Sequence, residues 1–168
     1  MSGTKRIQIG VLGASAPSAE IARAAERIGE LIAVRGAVLV CGGLGGVMEA
    51  AAGGAHGAGG LVVGVLPGID HRDANAFVDA AVATDMGHAR NAIIVRSSDA
   101  AIAVGGGYGT LSEIALAMKC GVPVVGYETW EACGAGGLRA PELSAETPEE
   151  AVEKAFEAVR VRRGGSLS

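Results

Sequence analysis

With 168 residues, 49% of them hydrophobic and 19% charged, the chain fits one domain able to bury a full core. A net charge of −4 argues against the basic face of a nucleic-acid binder, and an aromatic content of 3% leaves few platforms for stacking bases along a strand. Glycine stands apart: 28 copies far exceed its usual share of roughly 7%, and they cluster after apolar runs, where a backbone must turn tightly or come close to something.

In chain order, Ile7 to Leu12 reads as the first strand, and Ala37 to Cys41 as the second. Leu61 to Leu66, Val78 to Ala83, Ala100 to Val104 and Val122 to Gly126 supply four more. Their nearly continuous hydrophobicity suits strands buried on both faces of a parallel sheet. Between the first two, Ile21, Ala25, Ile28 and Ile32 recur at helical spacing beside a charged face, and Gly36 stops that helix. Further helices are predicted over Gly46 to His56, His88 to Ser97 and Thr110 to Lys119. The last begins at Thr147-Pro148-Glu149-Glu150, which combines an N-cap, a proline at the first helical position and a capping-box glutamate. It should continue to about Arg163, with Arg160, Arg162 and Arg163 at its negative end and a frayed tail over Gly164 to Ser168. Glu128 to Leu143 matches no template.

This alternation specifies one α/β domain over residues 1–168: a three-layer Rossmann-like fold, with a mainly parallel sheet of six or seven strands between helices. Cys41, Cys120 and Cys133 form no CxxC spacing, the first residues lack the apolar core of a signal peptide, and no apolar run approaches the roughly 20 residues of a membrane span. A cytoplasmic protein with no membrane or nucleic-acid partner is expected. His56, His71 and His88 have no metal-ligand spacing with the cysteines, so no metal site is assigned.

Ligands of open parallel sheets bind beyond the carboxyl ends of the strands, so the turns there are the candidate site. Gly13 and Ser15 follow the first strand; Gly42, Gly43 and Gly45 follow the second; Arg90 and Asn91 lie in the turn after the fourth. After the fifth comes Gly105-Gly106-Gly107-Tyr108-Gly109-Thr110, opening a helix. Without Cβ atoms, such a loop can point backbone N–H groups at a phosphate while the helix adds its positive end. The plain alternative is a tight strand-to-helix turn. Neither glycine loop ends in the Gly-Lys-Ser/Thr of a P-loop, and Gly43-Leu44-Gly45-Gly46-Val47-Met48 lacks the third glycine of a dinucleotide fingerprint. Glu113 could accept ribose hydroxyls or polarise a water, or be the capping-box partner of Thr110. Arg90 could pair with a phosphate or a carboxylate, or be an ordinary surface arginine. Glu49 reads as a helix-surface or interface residue.

Taken together, Gly42 to Ala51, Ala89-Arg90-Asn91, and Ser98-Asp99-Ala100 leading into Gly105 to Glu113 resemble the LOG-like superfamily. That group includes the lonely-guy phosphoribohydrolases, which release cytokinin bases, and the molybdenum cofactor carrier proteins. The resemblance runs from the first strand to about Gly126. It implies a phosphate-bearing ligand and a homodimer or higher homo-oligomer, with Arg90 and Glu113 matching the catalytic arginine and glutamate of the hydrolases. Lonely-guy enzymes have proline at the position of Gly105 and lysine at that of Asn91, and in both respects this chain looks more similar to the carrier branch. Two functions follow as expectations. One is a hydrolase cleaving the N-glycosidic bond of a nucleoside 5′-monophosphate; the other is a non-catalytic carrier or sensor of molybdenum cofactor or a nucleotide. Neither needs an additional cofactor. The lysine-decarboxylase label sometimes given to the superfamily finds no support, because Lys5, Lys119 and Lys154 all lie outside the rim turns. For the dimer, the small-residue helix from Gly46 to Gly60 and the apolar faces of the third and fourth helices are the surfaces expected to meet across a two-fold axis.

Overall fold

The computed structural model describes residues 5–164, so the expected tail from Gly165 to Ser168 lies outside the described residues, while Gly164 closes the last helix. Seven strands form one sheet: β1 (Gln8–Gly13), β2 (Val38–Cys41), β3 (Leu61–Leu66), β4 (Ala80–Ala83), β5 (Ala100–Val104), β6 (Val124–Tyr127) and, after a small hairpin of β7 (Ala132–Cys133) and β8 (Arg139–Ala140), β9 (Leu143–Ala145). Their order is β4-β3-β2-β1-β5-β6-β9, and every neighbouring pair is parallel. Of the five α-helices, α1 (Ala19–Val34), α2 (Val47–Gly57), α3 (Asn91–Arg96) and α4 (Tyr108–Lys119) make crossovers, a 3₁₀ turn at His71–Asp73 lies between β3 and β4, and α5 (Pro148–Gly164) follows β9.

The continuous apolar runs are explained by two cores, one on each face of the sheet. Ile9, Val11, Leu39, Ile102 and Val104 pack with α1, α2 and α5 on one side. Leu12, Val38, Val40, Ala101, Ala103 and Val124 pack with α3 and α4 on the other. Strand residues therefore alternate between two apolar layers, and both must be apolar.

Local chemistry sets the boundaries. Ser18 caps α1 by accepting the Ile21 N–H, and Gly36 leaves it at φ 74. Thr147 caps α5 through the Glu150 N–H, while Glu150 reaches back to the Glu146 N–H. At its far end Arg162 and Arg163 bond the carbonyl and carboxylate of Asp99, tying α5 to the start of β5. Two predicted strands start late. Val78 donates to the Asn75 carbonyl and Val122 to that of Ala117, so both remain in the preceding turns. The predicted helix from His88 to Ser97 divides into a 3₁₀ turn, Gly87–Arg90, and the short α3, a common way of tightening a helix start.

Much of the small-residue surface of α2 expected to face a second copy packs instead on α1 of the same chain, while Gly57 to Gly59 stay exposed. A Cβ built on Gly54 would lie 1.8 Å from the Glu26 carbonyl oxygen, and one on Gly29 would lie 1.9 Å from that of Ala51. The two helices touch backbone to backbone, and glycine is required at each contact.

This contact yields a stability prediction. Alanine is favoured over glycine by about 1 kcal/mol inside a helix, but overpacking typically costs 1–3 kcal/mol or more. Backbone cannot give way as a side chain tip can, so the steric term should win. Gly54→Ala should lower unfolding stability by about 1–3 kcal/mol in urea melts. Gly57→Ala, whose Cβ meets nothing within 4 Å, should be neutral or slightly stabilising.

Candidate functional site

Strand order reverses between β1 and β5, from which the chain leaves toward opposite faces: to α1 on one, to α4 on the other. The turns after β1, β2 and β5 converge there. A Cβ on Gly13 would strike both the Val47 side chain at 2.5 Å and the Val104 carbonyl at 2.6 Å, and the Val47 N–H donates to the Ala14 carbonyl. Ser15 is exposed on this rim.

The loop after β5 is built in two parts. Gly105 is buried at φ 56, its N–H given to the Tyr127 carbonyl and its own carbonyl accepting from the Thr129 hydroxyl. It shapes the turn and has no N–H left for a ligand. Gly106 to Gly109 are exposed, and α4 starts at Tyr108 with Gly107 as its N-cap. The first bond of the helix runs from the Leu111 N–H to the Gly107 carbonyl. The N–H groups of Gly107, Tyr108, Gly109 and Thr110 thus have no acceptor within the helix. Gly106 sits at φ 116 with its missing Cβ directed at Thr110, where Oγ1 would be only 2.3 Å away. Four such donors at the positive end of a twelve-residue helix have the chemistry to receive an anion.

Because α4 begins at Tyr108, Glu113 is its sixth residue and no side chain caps the helix, which rules out the Thr110–Glu113 capping box. Glu113 is instead 9% exposed, close to Arg90, which is 7% exposed. Arg90 is therefore no surface arginine. Its Nη1 lies 4.0 Å from Glu113 Oε1 and donates to Asn91 Oδ1; Nη2 reaches the Gly42 carbonyl at 3.5 Å; Nε is buried with no partner among the described residues. The guanidinium is held by three elements yet not saturated, and a charged donor left unmatched is costly. Gly42 makes room for it, since a Cβ there would meet Nη2 at 2.6 Å.

Burial raises the Glu113 carboxyl to about 7, against the opposing pull of Arg90. Burial also lowers Arg90, with Glu113 opposing it, and lifts the nearby Cys41 thiol to about 11, so that cysteine is no nucleophile at neutral pH. A carboxyl poised near neutrality beside an arginine can donate or accept a proton.

The glycines after β2 form a different kind of loop. The first N–H of α2 is taken by Ala14, the Gly43 and Leu44 carbonyls bond Asn75, and exposed Gly45 stands near the Glu49 carboxylate. This turn seats Arg90, and the N–H already taken by Ala14 is that of Val47, one of the helix-start groups of α2. Sequence reasoning missed Asn75, Thr129 and Trp130. Each bonds a carbonyl of a glycine loop from far along the chain, which no local pattern announces. A cavity of about 600 Å³ lies between the β7–β8 hairpin and the β9–α5 connection, but Glu128, Glu131, Glu142 and Glu146 line it, the wrong sign for phosphate.

The SLOG cluster4 family model matches residues 6–156, and the chain belongs to that family. It is 56% identical over 149 residues to an uncharacterized protein of Archaeoglobus fulgidus, covering 88% of this chain and 93% of that one. A probable cytokinin riboside 5′-monophosphate phosphoribohydrolase of Oryza sativa subsp. japonica is 43% identical over 94 residues, 54% of this chain but only 38% of the rice protein. Among solved structures, the molybdenum cofactor binding protein of Rippkaea orientalis superposes with a TM-score of 0.83 at 34% identity, covering 94% of this chain and 99% of that one. The molybdenum cofactor carrier protein of Chlamydomonas reinhardtii superposes with a TM-score of 0.77 at 31% identity, covering 92% and 99%. Among the described residues no helix is long and apolar enough to cross a membrane.

The raised Glu113 pKa has a thermodynamic consequence. A carboxyl whose folded value, about 7, exceeds its ordinary 4.5 binds its proton more tightly in the native state. Its contribution is full below pH 4.5 and is lost as pH rises through about 7. The stability difference between the wild type and Glu113→Gln should therefore shift in favour of the variant across that window. At 1.36 kcal/mol per unit the total is about 3 kcal/mol, measurable by urea denaturation at pH 4.5, 6 and 8.

Proposed function

We propose that this chain is a carrier that binds a phosphorylated pterin of the molybdenum cofactor type, seating the phosphate on the backbone N–H groups of Gly107 to Thr110. The observation that carries this reading is the backbone of Gly105. The lonely-guy hydrolases have proline there, yet here φ is 56 and the N–H donates to Tyr127. Proline is fixed near φ −65° and has no N–H, so this loop could not form around it. The solved structures that overlay nearly the whole chain, a molybdenum cofactor binding protein and a molybdenum cofactor carrier protein, support the same choice. The rice hydrolase shares only part of its length with this chain.

In the carrier reading, Gly106 to Gly109 admit the phosphate, Thr110 offers a hydroxyl, and Arg90 attracts the anion into the crevice and fixes its far side through charge. Gly13 and Ser15 close the rim from the β1 turn, and Asn91, Gly42 and Gly43 keep Arg90 oriented. Binding is the end point, and Glu113 serves to hold Arg90.

One observation favours a second reading. The hydrolase pair is present and buried together, with Glu113 near neutrality. In a nucleoside 5′-monophosphate phosphoribohydrolase the same cradle would hold AMP or a cytokinin nucleotide, and Glu113 would bind the ribose or guide water to the anomeric carbon. We also retain a homodimer. With α2 occupied by α1, the partly buried Ile93, Leu116 and Met118 of α3 and α4 supply the remaining apolar surface, and a monomeric mass by light scattering would reject it.

Calorimetry with molybdopterin, alongside AMP and isopentenyladenosine monophosphate, tests the reading. Molybdopterin should bind one per chain, and Gly106→Ala should weaken it at least tenfold, about 1.4 kcal/mol, since its methyl group would collide with Thr110. No free base should appear from either nucleotide. Base release abolished by Glu113→Ala would establish the hydrolase instead.

A further inference from the structure

We propose that Thr129 and Trp130 are positioning residues for the phosphate cradle: they grip the carbonyl side of the glycine loop so that its N–H side faces the ligand. The inference rests on the assignment of the ligand phosphate to Gly107–Thr110.

The chain leaves β6 at Tyr127, and Glu128 adopts a left-handed backbone, φ 49, uncommon for a residue with a side chain. That turn sends the next two residues back over the loop after β5. The Thr129 hydroxyl donates to the Gly105 carbonyl, and Trp130 Nε1 donates to the Gly107 carbonyl at 2.9 Å. The indole also lies against the Tyr108 ring, centroids 5.5 Å apart and planes inclined at 36°. With the Gly105 N–H on the Tyr127 carbonyl, residues 127, 129 and 130 together bond Gly105 twice and Gly107 once.

A peptide unit is planar, so fixing a carbonyl fixes the N–H of the following residue on the opposite edge. Holding the Gly107 carbonyl thus aims the Tyr108 N–H, and holding the Gly105 carbonyl aims that of Gly106. A run of glycines is otherwise the part of a chain with most conformational freedom, and an unrestrained cradle would have to be ordered at the cost of affinity. Trp130 bonds a carbonyl that already accepts the first helical bond of α4 from Leu111, so it also anchors the end of the helix whose dipole the phosphate meets.

The chain has one tryptophan, so its emission reports this contact alone. Wild-type protein titrated with molybdopterin, and separately with AMP and inorganic pyrophosphate, should show a saturable change in Trp130 emission with the midpoint that calorimetry gives. Trp130→Phe keeps a ring beside Tyr108 but removes the donor; Thr129→Val keeps the shape and removes the hydroxyl. Each should weaken binding roughly three- to tenfold, as expected for one hydrogen bond, with urea midpoints near wild type. Trp130→Leu should lose more than Trp130→Phe. If the wild type binds none of the three probes, the phosphate assignment fails and the clamp with it. If it binds one while Trp130→Phe and Thr129→Val bind equally well and the emission stays flat, the clamp alone is overturned.

Discussion

Between β1 and β5 the chain reverses the direction in which it lays down strands, and no hydrogen-bonded backbone can close the crevice this opens. Everything functional is an answer to that gap. The β1 turn runs to one face and the β5 turn to the other, so the starts of α1, α2 and α4 and the three turns before them share one rim. Gly13 has no room for a methyl group, because Val47 and Val104 already occupy its place. Filling the gap with apolar side chains would have been the ordinary solution for a core, yet Gly13, Gly42 and Gly105 stand at the ends of β1, β2 and β5. Ser15 and Gly106 to Gly109 stay exposed on this rim while the layers on either side are buried.

Beneath the opening lies the least conventional energetic feature of the molecule, a buried arginine facing a buried carboxyl at 4.0 Å. Burial alone would cost both charges dearly, and a pair at this distance recovers only part of that cost. The consequences appear in the Glu113 carboxyl, which is pushed to about 7, and in an Arg90 Nε with no acceptor. Such an arrangement is poor for stability compared with an apolar pair. It is well suited to receiving an oxygen-rich ligand, which would supply acceptors to the arginine where the protein leaves some unmatched.

The layers of this fold were legible because they depend on composition over short windows. Six apolar runs became six strands of the sheet, and Thr147, read as an N-cap, sits where α5 begins. The glycine loops were legible as loops, yet their difference in role was not. Both read as candidate phosphate loops, and only tertiary contacts reveal that the β2 turn also bonds Arg90, Asn75 and Ala14. The depth at which Arg90 is buried was not legible, since a lone arginine at the end of a 3₁₀ turn carries no pattern of its own. The stretch from Glu128 to Leu143 defeated local reading for a physical reason: its strands are two residues long, and its order comes from contacts with the β5 loop.

The same backbone cradle serves binding and turnover alike, so the distinction must come from what holds it. A proline ahead of the glycines would restrict the loop from within, through its fixed φ. Here the restriction comes from outside, through Tyr127, Thr129 and Trp130 acting on Gly105 and Gly107. A loop restrained by side chains from another segment can loosen when that segment moves, whereas a proline cannot. For a hydrolase, constant preorganisation of the phosphate is an advantage, because the anomeric carbon must meet Glu113 in one geometry. For a carrier, release matters as much as capture. A cradle whose grip depends on the segment leaving β6, rather than on its own covalent structure, would fit a carrier that must let its ligand go.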